Sequence, residues 1–406
     1  MPQAQPAVAP QMSITQQDQM ATQAILKRAV NRYQLVGSTT LTPASNPIWL
    51  LQPINIGLIK RFIIVCSGTV TNSGSQTLTL TDAGLSNIFG VGGIQYTDLN
   101  NYLRVNTSGQ HLTLLSYAKN RKPKYGTADW NAIDGSNRSQ MLNVPPAFWP
   151  VLQAPATITT GAGSGTFRAM FELPLAYSDK DLRGAIWANV LTAVQQLQFT
   201  INQNIVAAGT SDPSFAIYSG PAGAAGSITS IQISIYQEYL DQLPQASNGN
   251  QVTTLLPQLS LSTAYEIKSL VQQNIAANQE NYFSYTNQRS FLSTFVRYNN
   301  NGASSGLEEG GDVDYWALVS ANSTYLWKLD PLTATALSRD NIECDLPSGT
   351  YYFDSRKRAI ATLQFGNIQL ALNPSAATTG SYMNIMLEAF APLNTLQNGP
   401  GLIANN

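Results

Sequence analysis

From Gly37 almost to the end of the chain, short runs rich in β-branched and aromatic residues recur between clusters of Gly, Pro, Asn and Ser. Runs of this kind occupy 58–65, 77–81, 112–117, 166–173, 197–201, 228–239, 291–298, 351–353, 359–372 and 383–390. In 228–239, Ile231, Ile233 and Ile235 alternate with Gln232, Ser234 and Tyr236, the period-2 pattern of a strand with one dry face. Many short strands separated by turn residues predict an all-β chain of the sandwich or jelly-roll type.

The 406 residues exceed what one ordinary core organises, which points to two domains. A closing strand followed by a Pro/Leu tail appears twice, in SITSIQISIYQEYLDQLP ending at Pro244 and in SYMNIMLEAFAPLNTL ending at Leu396, a hint of a duplicated barrel. The expected organisation is an N-terminal arm and amphipathic helix over 1–37, a first barrel over 38–245, a second over 246–393 and a tail over 394–406. QASNGNQ at 245–251 reads as a linker, and a helix is expected within 259–278. In the arm, Ser13 and Gln16 form a capping box, and Ile14, Ala21, Ala24, Ile25, Ala29 and Val30 recur at near-helical spacing.

Only 11% of the residues are charged and the formal net charge is −1, so the chain has no basic excess with which to neutralise phosphates. Sequence-specific nucleic-acid binding is not expected. A polar but nearly uncharged exterior repels its own copies weakly, which suits a subunit that buries much of its surface against others. Cys66 and Cys344 fit no CxxC spacing or disulfide framework and read as buried free thiols. The N-terminus lacks the pattern of a signal peptide, and no run approaches a membrane span. Synthesis in a cytoplasm is expected.

Catalytic signatures are missing from the sequence. The one histidine, His111, reads as a strand-face residue beside Thr113, Leu115 and Tyr117, without the partners that a triad or zinc site needs. GxSxG, HExxH and GxxxxGK[ST] do not occur, and the glycine clusters at 90–93, 161–165 and 220–226 read as turns. Glu308, Glu309, Asp312 and Asp314 fit no EF-hand spacing, and Asp179 and Asp181 read as loop charges, as does the acidic stretch. The sequons at Asn106, Asn137 and Asn322 carry no weight without a secretory route. No cofactor, metal or catalytic residue is assigned. The site residues singled out are Lys27, Arg28 and Arg32, gathered at the end of the N-terminal helix. They either complement its C-terminal dipole or face an acidic surface such as lipid headgroups or packaged genome. Lys119, Arg121, Lys122 and Lys124, followed by Trp130 and VPPAFWP, read as a surface excursion that packs against a neighbour.

Several strings carry a resemblance. PLAYSDKDLRGAIWANV (174–190), YQEYLDQLP (236–244) and TLQFGNI (362–368), with KLDP (328–331) and GTYYFDSR (349–356), resemble in order and spacing the major capsid proteins of tectiviruses. The similarity runs over nearly the whole chain and is poorest at 119–150. It implies a double jelly roll, two eight-stranded antiparallel barrels side by side with a short N-terminal helix, assembled as a homotrimer of pseudo-hexagonal outline. It further implies an icosahedral virion shell around double-stranded DNA and an internal lipid membrane that the helix approaches through Lys27, Arg28 and Arg32. The partners implied are neighbouring trimers and vertex and minor capsid proteins. The resemblance also implies a bacterial host and a chain that catalyses nothing. The competing reading is a receptor- or carbohydrate-binding spike or lectin. A cupin enzyme would need a histidine cluster that this chain lacks.

Overall fold

The computed structural model describes residues 13–120 and 151–393, apart from short internal stretches of which 305–311 and 362–367 are the longest. Four helices are described: α1 (Ile14–Arg28), α2 (Gly109–Asn120), α3 (Gln258–Leu261) and α4 (Pro331–Ile342). The strands before α2 are β1 (Val30–Leu41), β2 (Ile48–Leu51), β3 (Leu58–Asn72), β4 (Leu78–Leu80), β5 (Ile94–Thr97) and β6 (Leu103–Thr107). Those between α2 and α3 are β7 (Val151–Gln153), β8 (Thr157–Ile158), β9 (Ser164–Pro174), β10 (Ile186–Trp187), β11 (Gln196–Thr200), β12 (Val206–Ala208), β13 (Tyr218–Gly220), β14 (Gly226–Asp241), β15 (Gln245–Asn248) and β16 (Gln251–Thr254). Between α3 and α4 lie β17 (Thr263–Gln273), β18 (Asn281–Ser284), β19 (Ser290–Asn300), β20 (Ala303–Ser304), β21 (Val313–Val319) and β22 (Tyr325–Leu329). Beyond α4 follow β23 (Thr350–Asp354), β24 (Ile360–Ala361), β25 (Gln369–Pro374) and β26 (Tyr382–Pro392).

In the first half, the sheet β1-β14-β3-β9-β7, with β10 against β3, presents one apolar face inward. Phe62, Ile64 and Cys66 of β3, Phe167, Ala169 and Phe171 of β9, and Ile231, Ile233 and Ile235 of β14 meet Ile94, Tyr96, Val105, Leu197 and Phe199 of the facing strands β5, β6 and β11 in one dry core. Period-2 alternation therefore makes a sandwich here, as the isoleucine pattern requires. The burial that seals this core pushes the Cys66 thiol's pKa up and keeps it inert.

The second half repeats the plan. Strands β17, β26, β19 and β23 face the sheet β18-β25-β21-β22 across a core of Val296, Tyr298, Trp316, Leu318, Leu370, Leu372, Ile385 and Leu387. Two separate cores result. The halves are joined through one sheet: β6 pairs in parallel with β17 at Val105↔Ile267 and Asn106↔Lys268. Of the strand runs read from the sequence, 58–65, 77–81, 166–173, 197–201, 228–239, 291–298, 351–353 and 383–390 fall on β3, β4, β9, β11, β14, β19, β23 and β26.

Two local expectations fail, each for a physical reason. The run at 112–117 is helical, within α2, because Leu112 and Leu115 enter the first core while Leu114 and Ala118 enter a separate cluster with Phe295, Tyr352 and Met386. Two apolar contacts at i, i+3 and i, i+4 outweigh the apparent alternation. His111 is accordingly a helix residue and not a strand residue. The helix expected within 259–278 shrinks to α3, a single turn, after which β17 takes over with Ala264, Tyr265, Glu266 and Ile267 all buried. A strand covered on both faces loses its alternation and imitates a helix in sequence. Within the stretch read as a linker at 245–251, β15 pairs with β16 in antiparallel register from Gln245↔Thr254 to Asn248↔Gln251. Cys344, Glu308, Glu309, Arg121, Lys122, Lys124, Trp130 and the tail from 394 lie outside the described residues.

Candidate assembly surfaces and the junction between the halves

Ser13 caps α1 as the sequence indicates, its hydroxyl accepting from Gln16 N while the Gln16 side chain accepts from Ser13 N. The helix is then fixed to both halves. Ile25 inserts among Leu58, Ala176, Leu182, Ala185, Leu240 and Leu261, and Ala21 is also buried. The Asp18 carboxylate accepts from Leu259 N at 2.8 Å and from the Ser260 hydroxyl at 2.7 Å, capping α3. Met20, Leu26, Lys27 and Arg28 remain outside, together with Thr15, Gln16, Gln17, Gln19 and Gln23. Lys27 and Arg28 occupy the last turn of the helix. Arg32 does not join them: it lies on β1 and its Nε meets Asp241 Oδ2 at 2.8 Å. The three-residue basic cluster is thus two cations on α1 and one ion-paired cation on the adjoining strand.

The sheet of the first half has a second face, opposite its core. Register pairs Leu35 with Tyr236 and Tyr33 with Glu238, and Tyr236 with Ile63. Tyr33, Leu35 and Tyr236 are 58%, 50% and 37% exposed, beside half-buried Ile63 and Val65. The outer face of the opposite sheet of the second half, β18-β25-β21-β22, is partly covered, with Tyr282 and Tyr325 44% and 45% exposed. Ala317 and Ala371 are buried there beneath Tyr315. The hydroxyls of Tyr282, Tyr315 and Tyr325 all donate to Glu280, and Lys328 sits 3.5 Å from the Tyr315 ring centroid. Desolvation works to raise the Glu280 pKa, but three phenol hydrogen bonds and the Lys328 charge bring it below the usual carboxylate range.

Between the halves lies a buried charge that no sequence pattern announced. Glu388 of β26 has no exposed side-chain surface. It accepts from Tyr265 Oη at 2.5 Å and Ser293 Oγ at 2.6 Å, and Lys119 Nζ of α2 stands 3.2 Å away. Burial alone would raise the Glu388 pKa; the Lys119 charge and the two hydroxyls hold it below the ordinary value. Lys119 also donates to Tyr177 O at 2.7 Å and lies over the Tyr177 and Tyr265 rings. Arg356 ties the second half to α2 by donating to Ala118 O at 2.8 Å while it grips Asp354. A cleft of about 510 Å³ opens above this node, lined by Lys60, Arg61, Lys119, Glu172, Asp179 and Arg356 among others. Its charges are internally matched: Lys60 Nζ is 3.0 Å from both Asp179 and Glu238, and Arg61 pairs with Glu238 and Glu172. Asp181 is held by Arg183 at 2.6 Å.

His111 is fully buried, its pKa pushed down to about 3 by desolvation, and its Nδ1 faces Thr107 Oγ1 at 2.8 Å and Ser269 Oγ at 3.1 Å. Among the described residues no group of three or more His, Cys, Asp or Glu side chains could hold a metal ion, and no helix is long and apolar enough to cross a membrane. The described residues present exposed sheet faces and a buried, charged joint between the halves.

Comparison with known proteins agrees with that geometry. The N-terminal family of P3 major capsid proteins matches residues 3–243 and the C-terminal family matches residues 262–402. The major capsid protein P3 of Enterobacteria phage PRD1 is 33% identical over 385 residues, covering 93% of this chain and 92% of the relative. Among solved structures, the STIV MCP superposes with a TM-score of 0.61 at 13% identity over 91% of this chain and 99% of that one. A chain from the structure of Sulfolobus Turreted Icosahedral Virus gives 0.58 at 13% identity over 89% and 91%. At that identity the two archaeal virus structures speak for the fold alone, and the fold is the double jelly roll. Matched by both family halves and by a relative over nearly its full length, this chain belongs to the P3 major capsid protein family and is a major capsid protein, not a spike or lectin.

Proposed function

We propose that the chain acts as a homotrimer of pseudo-hexagonal outline, two barrels from each of three copies, and that such trimers tile an icosahedral shell over an internal membrane and double-stranded DNA. The observation that carries self-association is the uncovered face of β1, β14 and β3, where Tyr33, Leu35 and Tyr236 stand exposed in one sheet. Exposed apolar patches of this kind mark contact surfaces. The matching face of the second half, on β26 and β19, is buried against α2 and the first half. Within this reading α1 points its Met20, Leu26, Lys27 and Arg28 side toward anionic lipid, apolar groups flanked by cations being suited to a headgroup layer. The role is structural, without catalysis. Synthesis takes place in the cytoplasm of the bacterial host, and vertex and minor capsid proteins meet the shell at its specialised positions.

Light scattering of the purified chain tests the assembly reading. A trimer at micromolar concentration that dissociates on Leu35→Asp with Tyr236→Asp supports it; a monomer in the unsubstituted protein refutes it. Flotation with anionic vesicles tests the helix. Trimers that float, and stop floating on Lys27→Glu with Arg28→Glu, support the lipid-facing role.

A further inference from the structure

The layer between the two halves contains more unmatched polar chemistry than either core. Asn384 of β26 is 0% exposed, and neither its Oδ1 nor its Nδ2 has a hydrogen-bond partner among the described residues. Register places Asn384 opposite Arg297 of β19, and Arg297 opposite Thr350 of β23, so the three side chains share one rung and one face. Thr350 is 1% exposed and its hydroxyl is likewise unmatched. The face is the one that meets α2: two residues along each strand stand Phe295, Met386 and Tyr352, which pack on Leu114 and Ala118. His111 enters the same layer from α2. Its Nδ1 is bonded at Ser269, which pairs with Met386, while its Nε2 is buried and unmatched.

An orphaned buried polar atom costs about 1–3 kcal/mol, and native interiors hold few of them. Four such atoms, on three residues of one layer, therefore point to occupants rather than to uncompensated cost. We propose that the seam between the two jelly rolls binds a cluster of ordered water at Asn384 and Thr350 that extends to His111 Nε2. Water fits where an anion does not. Asn384 offers an acceptor as well as a donor, and an anion would repel Oδ1. Whichever ring nitrogen of His111 carries the proton, Nε2 needs a partner, and water serves as donor or acceptor alike. Asn384 stands one rung, about 7 Å, from the Ser269–Met386 pair beside His111, and two strand spacings, about 10 Å, from Thr350 across Arg297, so a short chain of waters spans the seam. The two halves thus meet through a wet joint, unlike the dry interiors of the barrels.

A crystal structure of the full chain at about 1.8 Å, with one crystal soaked in bromide, reads the seam directly. Ordered density within hydrogen-bond distance of Asn384 and Thr350, without a bromide anomalous signal, is the expected result. A bromide peak at that position overturns the proposal in favour of an anion, and absence of any density overturns it in favour of a dry seam. Asn384→Leu supplies a second measurement of opposite sign for the two cases. The variant melts a few degrees lower if it strips partners from bound water, and higher if it merely removes two orphaned atoms. If the variant fails to fold, the density in the unsubstituted protein still decides.

Discussion

Strands β14 and β26 hold equivalent places, each the long closing strand of its half, yet they are buried differently. In β14, Ile231, Ile233 and Ile235 face the core while Gln232 and Tyr236 remain exposed. In β26 every residue from Tyr382 to Ala391 is buried. Met383, Ile385, Leu387 and Ala389 line the second core, and Asn384, Met386, Glu388 and Phe390 line the joint with α2 and the first half. One barrel leaves this face exposed; the other buries the matching face inside its own chain. A duplicated fold does not have duplicated surfaces, and in the proposed trimer the asymmetry decides which half offers an apolar sheet to another copy.

The sharpest way to break this comparison is to place a charge on each strand. Met386→Asp puts a carboxylate among Leu114, Phe295 and Tyr352 and should cost about 5 kcal/mol or more, abolishing soluble folded protein. Ser234→Asp, on the free face of β14 where Ser234 meets only the Ser38 hydroxyl at 2.9 Å, should change stability by less than about 1 kcal/mol. Chemical denaturation of both variants checks the pair. Equal losses would mean that the two faces are equally enclosed.

Next in size is the charge at the joint. Glu388→Gln leaves the Lys119 ammonium without its counter-charge in a nearly closed site and should cost about 3–5 kcal/mol. The double variant Lys119→Met, Glu388→Gln should recover part of that loss, since a pair removed together leaves no unbalanced charge. A thermodynamic cycle over the four proteins measures the coupling.

How much of this was legible depended on the range of the interactions. Ile231, Ile233 and Ile235 announced β14 because alternation is a local property, and Ser13 with Gln16 announced the start of α1 because the cap closes over three residues. The resemblance supplied the double jelly roll, which local patterns could narrow only to a sandwich class. The joint was invisible. Glu388 takes its partners from Lys119, Tyr265 and Ser293, between 95 and 269 positions away, and nothing in EAF around it distinguishes a buried carboxylate from an exposed one. The same blindness explains α2 and β17, whose second buried faces come from the other half of the chain. Arg32 was grouped with Lys27 and Arg28 because sequence proximity cannot show that a helix ends and a strand begins between them.

The joint should also carry a pH signature that the free face lacks. His111 titrates near 3 when folded because burial disfavours its charged form, against about 6.5 in an unfolded chain. Below pH 6.5 the unfolded chain takes up a proton that the folded one refuses. Stability is therefore full above that pH and falls as pH drops toward 3, by at most about 1.4 kcal/mol per unit. Glu388, with its pKa lowered, adds a loss of the same sign once pH falls through its folded pKa, below 4.5. His111→Asn should flatten the melting temperature between pH 6.5 and 4.5 while leaving the more acidic limb in place. An unchanged profile would show that the imidazole is reached by solvent.

The smallest expected effect on the subunit tests the largest claim about the assembly. Tyr236 packs on half-buried Ile63 at one side and on exposed Leu35 at the other, so replacing it by Ser removes apolar surface that the monomer already shows to water. Subunit stability should move by no more than about 0.5–1 kcal/mol. If another copy covers that face, the same substitution strips buried apolar area from each of three interfaces and multiplies through the trimer, and light scattering should show dissociation at concentrations where the unsubstituted protein holds together. A subunit that melts normally but no longer associates would locate the contact on β14. Normal melting together with normal association would leave this face to solvent and remove the reason for the difference between the two closing strands.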